Sequence, residues 1–529
     1  MRKVRESIIG DDLAMTGPFG RRRVTYADFT ASGRAVSFIE DFIRDHVLPW
    51  YANTHSDSSA TGAQTTALRE EARSAIRDAV GGGEDTVVIF TGSGATGAID
   101  KLITILGLRL PAAPDDRPVV FLGPYEHHSN ELPWRESICD VVTIPEDADG
   151  HVSLPALRAE LVRHHARPLK LGSFSAASNV TGILTDTAAV TDLLHEHGAL
   201  AFWDCAAAAP HGDVRMGDKD AMFLSPHKFA GGPGTPGVLV VRRALLRNRV
   251  PSVPGGGTVD YVSATDHHYI GDAAHREEGG TPAIVESVRA GLVFGLQQAV
   301  GVEAVREREQ AVLRRALESW SAEPNLEVLG NADADRVAIV SLLVRGPSGK
   351  LLHHNYVVAL LNDLYGIQAR GGCSCAGPYG HRLLGIGPAR SRWFRDEVLA
   401  GREGGKPGWV RISFDYTMSD AVVAYVIEAV RQVALRGWRL LPDYRFDPAT
   451  GRWRHHRATE PRLSLAGLRY TADGVRRPLA EDTLPEAVLP AHLEDADRIL
   501  GAAGGPEPGR VADGFEDAQW FELPSECSV

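Results

Sequence analysis

One lysine stands apart from the other six lysines of this chain. Lys228 lies in a glycine-rich loop, SPHKFAGGPGTPG at residues 225–237, directly after an apolar run that predicts a buried strand. An amine that is partly removed from water and close to other cations has a lowered pKa, which makes it a nucleophile toward an aldehyde. The segment therefore favours a Schiff-base lysine, and an ordinary loop lysine is the alternative.

A carboxylate follows the strand predicted at residues 200–203. Asp204 at the end of a buried strand needs a cationic partner, because an unpaired buried charge is costly. A protonated pyridine nitrogen is such a partner, so Asp204 together with Lys228 points to pyridoxal phosphate. A role of Asp204 in capping the next turn is the alternative.

A phosphate site is predicted at GSGATG, residues 92–97, between the apolar run 87–90 and a helical pattern. Free N–H groups and the helix dipole at such a turn bind anions. The same letters fit the dinucleotide pattern G-x-G-x-x-G, with Asp115 and Asp116 about twenty residues further on. A dinucleotide site, as in a dinucleotide-binding oxidoreductase, is therefore a competing hypothesis.

Two adjacent histidines follow the run 118–122, in the segment YEHHSN at residues 125–130. A histidine after a strand end stacks on a planar ring or transfers protons. Zinc binding is the alternative, but neighbouring histidines seldom face one ion, and the chain has no HExxH motif.

The last chemical motif is RGGCSCA at residues 370–376. Arg370 offers a bidentate binder for a carboxylate, and nearby positive charge keeps a thiol partly as thiolate. A Cys-x-Cys metal site needs more ligands than the chain places nearby. A small apolar loop without chemistry is the other alternative.

Short apolar runs alternate with helical patterns over residues 87–241, which predicts a mainly parallel sheet with helices on both faces. Ligands bind at the carboxyl ends of such strands. The predicted strands are 87–90, 118–122, 170–174, 200–203, 221–224 and 237–241, and the predicted helices are 95–106, 154–165 and 187–197.

A second α/β pattern covers residues 326–435, and two turn signals, DPATG at 447–451 and Asp473-Gly474, indicate hairpins beyond it. We expect four regions: an N-terminal segment (1–23), a large cofactor-binding domain (24–300), a small α/β domain (301–437) and a C-terminal extension (438–529).

The composition excludes several classes of protein. Among 529 residues, 43% are hydrophobic and 23% charged, which excludes a wholly disordered chain. The net charge of −12 gives no basic field for nucleic acid, and no apolar stretch reaches a membrane span. Five cysteines form no disulfide framework, so with no signal peptide in view we expect a cytoplasmic protein.

Most of the negative charge lies at the end of the chain, because residues 478–529 carry twelve acids and two bases. Charge runs are usually solvated and disordered. A folded cap that narrows the entrance of the site is the alternative.

Seven motifs in this order resemble a known family. Over about residues 24–435 the chain resembles the class V, fold-type I pyridoxal-phosphate enzymes, and most of all the SufS-type cysteine desulfurases and selenocysteine lyases. The motifs are GSGATG (92–97), EHHSN (126–130), SNVTG (178–182), Asp204, SPHK (225–228), EGGTP (278–282) and RGGCSCA (370–376).

The resemblance implies an α/β fold with a mainly parallel seven-stranded sheet and a smaller α/β domain. It also implies that Lys228 binds pyridoxal 5′-phosphate covalently, that Asp204 pairs with the pyridinium, and that His127 stacks on the ring and takes part in catalysis. The phosphate is then held by Ala95, Thr96, Ser225 and His227.

For the substrate, the resemblance implies that Asn179 and Arg370 anchor the carboxylate of an amino acid and that Cys375 accepts sulfur as a persulfide. His55 corresponds to the edge of the site. Thr281 reaches the phosphate of a partner subunit, so a homodimer with shared sites is implied, with a sulfur-acceptor protein as a further partner.

The predicted reaction is removal of sulfur from L-cysteine to give alanine. The chain departs from the family where Ala207 replaces a glutamine and where Cys373 and Ser374 replace a histidine pair, and its C-terminal extension is atypical. A lyase, epimerase or aminotransferase for a specialised amino acid is therefore the alternative. A catalytically silent scaffold acting through its acidic tail is the hypothesis from another class.

Overall fold

The computed structural model describes residues 1–54, 56–110, 113, 116–458, 464–472, 474–476, 482–504 and 520–523. Its strands are β1 (Ala14–Gly17), β2 (Gly20–Arg23), β3 (Thr25–Tyr26), β4 (Thr86–Thr91), β5 (Val119–Leu122), β6 (Asp140–Thr143), β7 (Lys170–Ser175), β8 (Leu200–Asp204), β9 (Ala221–Leu224), β10 (Gly237–Arg242), β11 (Val259–Val262), β12 (His267–Tyr269), β13 (Leu326–Val328), β14 (Ile339–Val344), β15 (Leu351–Leu352), β16 (Ile367–Gln368), β17 (Arg370–Gly372), β18 (Trp409–Ser413), β19 (Tyr444–Asp447), β20 (Arg452–His455), β21 (Arg469–Thr471), β22 (Gly474–Arg476) and β23 (Phe521–Glu522).

The helices are α1 (Arg2–Arg5), α2 (Ser37–Phe42), α3 (Ala60–Ala79), α4 (Gly94–Ile105), α5 (Leu132–Arg135), α6 (Leu154–Arg163), α7 (Thr187–Glu196), α8 (Ala273–Arg276), α9 (Ile284–Val300), α10 (Val302–Ser321), α11 (His354–Tyr365), α12 (Gly377–Leu383), α13 (Pro388–Leu399), α14 (Asp420–Arg436) and α15 (Leu489–Ala502). Within the described residues, no helix is both long and apolar enough to cross a membrane.

The large sheet has seven strands in the order β4-β10-β9-β8-β7-β5-β6. Strand β10 runs antiparallel to both of its neighbours, and the other pairs are parallel. The prediction of a mainly parallel seven-stranded sheet is confirmed. The sequence reading missed β6, a short edge strand that is only half-buried and so lacks a continuous apolar run.

The carboxyl ends of β7, β8 and β9 meet at one edge of this sheet. Their residues are buried on both faces, as parallel strands between helix layers require. Helices α6 and α7 begin at capping side chains, since Ser153 accepts a hydrogen bond from the Ala156 amide and Asp186 from the Ala189 amide. This packing fixes the loops that follow each strand.

A second sheet of four antiparallel strands has the order β13-β14-β18-β17. Its core is shared with α10, α11 and α14, and Trp320, Ile412 and Val426 are fully buried there. Strand β3 from the N-terminal region pairs with β16, so the start of the chain joins this second unit.

The C-terminal extension is folded wherever the structure describes it. The DPATG turn joins β19 and β20 as an antiparallel hairpin, and α15 packs on α14. Leu489, Leu500 and Phe521 are buried in the core of the second unit. For residues 482–504 and 520–523 the expectation of a solvated tail is therefore wrong, because an apolar face of α15 offsets the local negative charge. The rest of the tail lies outside the described residues.

Candidate active site

A cavity of about 200 Å³ opens at the carboxyl ends of β7, β8 and β9, beside β17 and β18. It brings together ten of the residues predicted from the sequence. These are Ala95, Thr96, His127, Asn179, Asp204, Ser225, His227, Lys228, Arg370 and Cys375.

Lys228 follows β9, and Asp204 ends the neighbouring strand β8, so both side chains reach the same cavity. Removal from water lowers the pKa of Lys228 to about 8, an effect that the Asp204 carboxylate partly opposes. Burial raises the pKa of Asp204, and hydrogen bonding from the Ala206 amide (2.9 Å) opposes that shift. Asp204 thus caps the following turn and also lines the cavity.

The N-terminus of α4 forms one end of the cavity. The Ala95 amide donates to Ser225 Oγ over 2.9 Å, which ties the helix start to the lysine loop. Gly94 has φ +56°, and a Cβ there would lie 2.9 Å from Ser225 Oγ and 3.0 Å from Cε1 of His227. Thr96 contributes its hydroxyl, 2.6 Å from the hydroxyl of Ser129. Together the helix N-terminus and three hydroxyl groups make a cradle of the kind that binds phosphate.

His127 presents a neutral imidazole to the cavity. Burial, and then the nearby Lys228 ammonium, lower the pKa of His127 to about 3. Its Nδ1 accepts a hydrogen bond from the Ser129 amide over 3.0 Å. The proton of the neutral ring is therefore on Nε2, and the ring keeps this tautomer across the physiological pH range.

A buried carboxylate beneath His127 had no signal in the sequence beyond its place in the YEHHSN segment. Glu126 accepts hydrogen bonds from the Ser175 amide (2.9 Å), the Ser175 hydroxyl (2.6 Å) and the Asn130 amide group (2.7 Å). Burial raises the pKa of Glu126 to about 7, although these donors favour the ionised form. The contacts join the loop after β5 to the end of β7.

Cys375 lies in a strained loop that follows β17. Ser374 (φ 51°) and Cys375 (φ 56°) are the non-glycine residues with positive φ in the described part of the chain. The loop is held by the His128 amide, which donates to the Cys375 carbonyl over 2.7 Å, and by the Asn179 amide group, which donates to the Ser374 carbonyl over 2.7 Å. The Cys375 side chain stays exposed at the cavity.

Asn179 donates one of its two amide N–H groups to this contact, and its Oδ1 is buried without a hydrogen-bond partner within the described residues. Its side chain therefore offers a ligand one further N–H donor and one acceptor. The role of Asn179 in anchoring a substrate carboxylate stays a prediction.

A pair of arginines, Arg370 and Arg411, also lines the cavity. Arg370 donates through Nε to Asp28 (3.1 Å), and Arg411 donates through Nη2 to the other oxygen of Asp28 (2.9 Å). Arg411 also donates to the Asn179 carbonyl over 3.1 Å, and burial lowers its pKa. The sequence reading missed Arg411 and Asp28, although an arginine inside the apolar run WVRISF was a usable signal.

One predicted site residue that the structure describes, Thr281, is not among the residues that line this cavity. Thr281 is exposed, and its hydroxyl accepts a hydrogen bond from Asn53 over 3.4 Å. Its predicted contact with a partner subunit therefore stays a prediction. His55 lies outside the described residues, as does Asp115, one of the acids on which the dinucleotide hypothesis depended.

The donor set of the cavity fits pyridoxal phosphate. The helix start at Gly94 has the amide and hydroxyl groups that suit a phosphate, Lys228 is an amine with a lowered pKa, and Asp204 is a buried carboxylate of the kind that pairs with a ring cation. Ala207 lines the cavity where the family resemblance led us to expect a glutamine, so that position offers no side-chain hydrogen bond.

The family model of aminotransferase class-V matches residues 25–426. A probable cysteine desulfurase of Halobacterium salinarum is 29% identical over 392 residues, which are 72% of this chain and 90% of the relative. A probable cysteine desulfurase of Staphylococcus aureus is 27% identical over 363 residues, or 68% of this chain and 84% of the relative.

Solved structures show the same fold. A cysteine desulfurase of Thermococcus onnurineus superimposes with a TM-score of 0.65 at 23% identity, covering 78% of this chain and 95% of that one. A cysteine desulfurase of Escherichia coli gives a TM-score of 0.61 at 22% identity, covering 78% of this chain and 94% of that one.

Proposed function

Because the chain belongs to the aminotransferase class-V family of pyridoxal-phosphate enzymes, we propose that it removes sulfur from L-cysteine, giving alanine and a persulfide on Cys375. One observation carries this proposal: an exposed thiol and two arginines line the same cavity as Lys228. The thiol is a sulfur acceptor, and the arginines are binders for the carboxylate of an amino acid.

Lys228 would hold pyridoxal phosphate covalently, Asp204 would pair with its ring nitrogen, and His127 would stack on the ring. The phosphate would be held by Ala95, Thr96, Ser225 and His227. When bound, pyridoxal phosphate supplies an electron sink for bonds to the α-carbon of an amino acid.

The residues of the chain supply the proton transfers and the orientation. Lys228, with a pKa near 8, is suited to take a proton from the α-carbon at neutral to slightly basic pH. Arg370 and Arg411 share the Asp28 carboxylate, so one positive charge stays available for the substrate carboxylate. The neutral His127, whose Nδ1 accepts from the Ser129 amide, has its N–H on Nε2 and is able to donate there to a ligand.

The sulfur transfer needs a thiolate at Cys375. Its sulfur forms a bond to the substrate sulfur as the carbon–sulfur bond breaks, and the carbon keeps the electron pair and is protonated. The products are alanine and the Cys375 persulfide. Because the side chain is exposed, a sulfur-acceptor protein is able to reach it.

A homodimer is the proposed assembly. Large apolar side chains are exposed on the first unit, and Asn53, close in the chain to two of them (Trp50 and Tyr51), donates to Thr281; the set is Phe38, Phe42, Trp50, Tyr51, Val253, Tyr261 and Val262. Exposed apolar side chains gathered into a patch are typical of an interface. Sedimentation analysis of the native protein and of Trp50→Glu tests it: we expect a dimer that the charge weakens, and a wild-type monomer contradicts the proposal.

The experiment for the reaction supplies L-cysteine to the purified yellow protein and measures alanine and the intact mass. We expect alanine release and a gain of one sulfur on Cys375. Cys375→Ser is expected to lose the added sulfur, whereas the matched variant Cys373→Ser keeps it. If Cys375→Ser turns over cysteine normally without added thiol, the proposed persulfide on Cys375 is wrong.

The second candidate is a lyase, epimerase or aminotransferase for another amino acid. Ala207 in the cavity and Cys373 in the loop favour it, because both depart from the desulfurase pattern. An amino-acid screen that follows the cofactor absorbance decides between the two. Far more efficient conversion of an amino acid other than cysteine selects this candidate.

A further inference from the structure

The end of the described chain packs against β15, just before the start of α11. Strand β23 pairs in parallel with β15, and the Glu522 carboxylate accepts hydrogen bonds from the Ser348 amide (3.1 Å) and hydroxyl (2.9 Å). Phe521 is fully buried. We name residues 520–523 the terminal clasp.

His354 connects the terminal clasp to β17. A Cβ at Gly371 would lie 3.2 Å from Cδ2 of His354, and a Cβ at Gly408 would lie 2.8 Å from its Cε1. The imidazole therefore packs directly on the backbones of both glycines. A Cβ at Gly408 would clash with the imidazole, and a Cβ at Gly371 would crowd it and clash with Asn355 Oδ1 at 2.6 Å.

The imidazole of His354 also lies beside two other rings, those of Trp520 and His353. The rings of His354 and Trp520 are nearly parallel, at 14°, with centroids 6.2 Å apart, and His353 stacks on His354 at 4.2 Å. Trp520 also donates through Nε1 to the Gly405 carbonyl over 3.0 Å. One side chain of the terminal clasp thus contacts the support of β17 and the turn that precedes β18.

Strands β17 and β18 carry the arginines of the cavity, and β17 leads into the Cys375 loop. Two consecutive non-glycine residues in the left-handed region strain the backbone, so this loop keeps its conformation only while its surroundings hold it. His128 and Asn179 hold the loop from the large sheet. The strand before it is held by His354 and, behind His354, by the terminal clasp.

We propose that Trp520 is a positioning residue: through His354 and Gly405 it fixes β17 and the strained Cys375 loop. The proposal rests on the proposed function for its effect on turnover. It does not extend to the cofactor cradle, because the contacts of Lys228, Asp204 and α4 belong to the large sheet.

Hydrogen exchange on the holoenzyme tests the proposal without any substrate. In Trp520→Ala we expect faster exchange in peptides that cover residues 370–376 and 404–409, with no change over 94–105 and 225–232. Trp520→Phe retains the stacking and should restore most of the protection. Tyr470→Ala, which removes an exposed aromatic ring from the same extension, is the matched control.

Turnover and thiol reactivity give the second readout. A displacement of about 1 Å at reacting groups costs up to ~100-fold in rate, so we expect kcat of Trp520→Ala to fall by about 10- to 100-fold with normal cofactor absorbance. Alkylation of Cys375 should become faster in the same variant. Unchanged exchange over 370–376, or faster exchange throughout the protein, overturns the proposal.

The wild-type protein provides a test that needs no variant to fold. If the terminal clasp fixes the loop, residues 520–523 and 370–376 open with the same free energy under native conditions. Exchange of 520–523 that is much faster than that of 370–376 would contradict the proposal. If the wild type releases no alanine from cysteine, the proposed function fails, and the exchange result still decides the role of Trp520.

Discussion

Arg370 and Arg411 lie directly opposite each other in the antiparallel pair of β17 and β18, and both bind the carboxylate of Asp28. Two guanidinium groups share a single negative charge. This part of the cavity wall therefore carries a net positive charge, which the carboxylate of a ligand would neutralise. Arg411 is buried, so it relies on this partner more than the half-exposed Arg370 does.

Asp28→Asn should weaken substrate binding. The loss of the shared carboxylate leaves both arginines without a fixed orientation, so we expect KM for the amino acid to rise about tenfold or more, the effect of ~1.4 kcal/mol. Cofactor absorbance should not change. Steady-state kinetics measure this, with Asp335→Asn, at an exposed ion pair with Arg306, as the control. An unchanged KM would show that Asp28 does not orient the arginines.

Lys228→Ala should remove the covalent link and nearly abolish turnover. A positioned acid–base group contributes about 10²–10⁴-fold, and Lys228 also holds the cofactor. Borohydride reduction of the wild type followed by peptide mapping should place the cofactor mass on residue 228. Lys219, whose pKa burial also lowers, is the comparison amine and should stay unmodified. If the reduced cofactor were found on Lys219 instead, the assignment of Lys228 as the cofactor-binding lysine would be wrong.

The pairing of His275 predicts a pH-dependent stability. Its Nδ1 lies 2.8 Å from Asp272 and its Nε2 lies 3.1 Å from Glu70, and these hydrogen bonds raise the pKa of His275 to about 9, although Arg73 opposes the shift. Protonated His275 therefore stabilises the folded state. This contribution is fully present below about pH 6.5 and is lost as the pH rises through 9.

His275→Gln should therefore lower the free energy of unfolding by about 1 kcal/mol at pH 6, a value reduced by partial exposure, and by much less at pH 10. Denaturant titrations at both pH values measure the difference. The exposed His268, changed to Gln, is the control. An equal loss at both pH values would assign the effect to packing instead of charge.

Leu500→Ala should destabilise the second unit. Leu500 is fully buried under α14, and truncation of a buried leucine costs about 2–5 kcal/mol. Leu465→Ala, at a position that is 84% exposed in the same extension, should leave the melting temperature unchanged. Equal melting temperatures for the two variants would mean that the extension adds no core.

Much of the large sheet was predictable from sequence. Residues 221–224 and 237–241 are buried on both faces and read as unbroken apolar runs, and the observed strands begin at the same residues. Lys228 and Asp204 could be paired in advance because parallel strands end at the same edge. Edge strand β6 gave no such run.

The arginine wall and the terminal clasp could not be predicted in this way. The contact of Asp28 with Arg411 joins residues 383 positions apart, and nothing local to Asp28 marks it. Strand β23 has only two residues, and its partner strand β15 has two as well. Strand pairs this short form because the surrounding tertiary structure holds them together. No local sequence pattern predicts them.

The second unit has a consequence for synthesis on the ribosome. Its core needs Ala27 from the start of the chain and Phe521 from near the end, whereas the large sheet is complete once residue 242 has emerged. At ~5–20 residues per second, the remaining 280 or so residues take roughly 15–60 s. During that interval the large sheet of the nascent chain is complete, whereas strand β3 still lacks its later partners. We expect chaperones to bind such a partly folded chain.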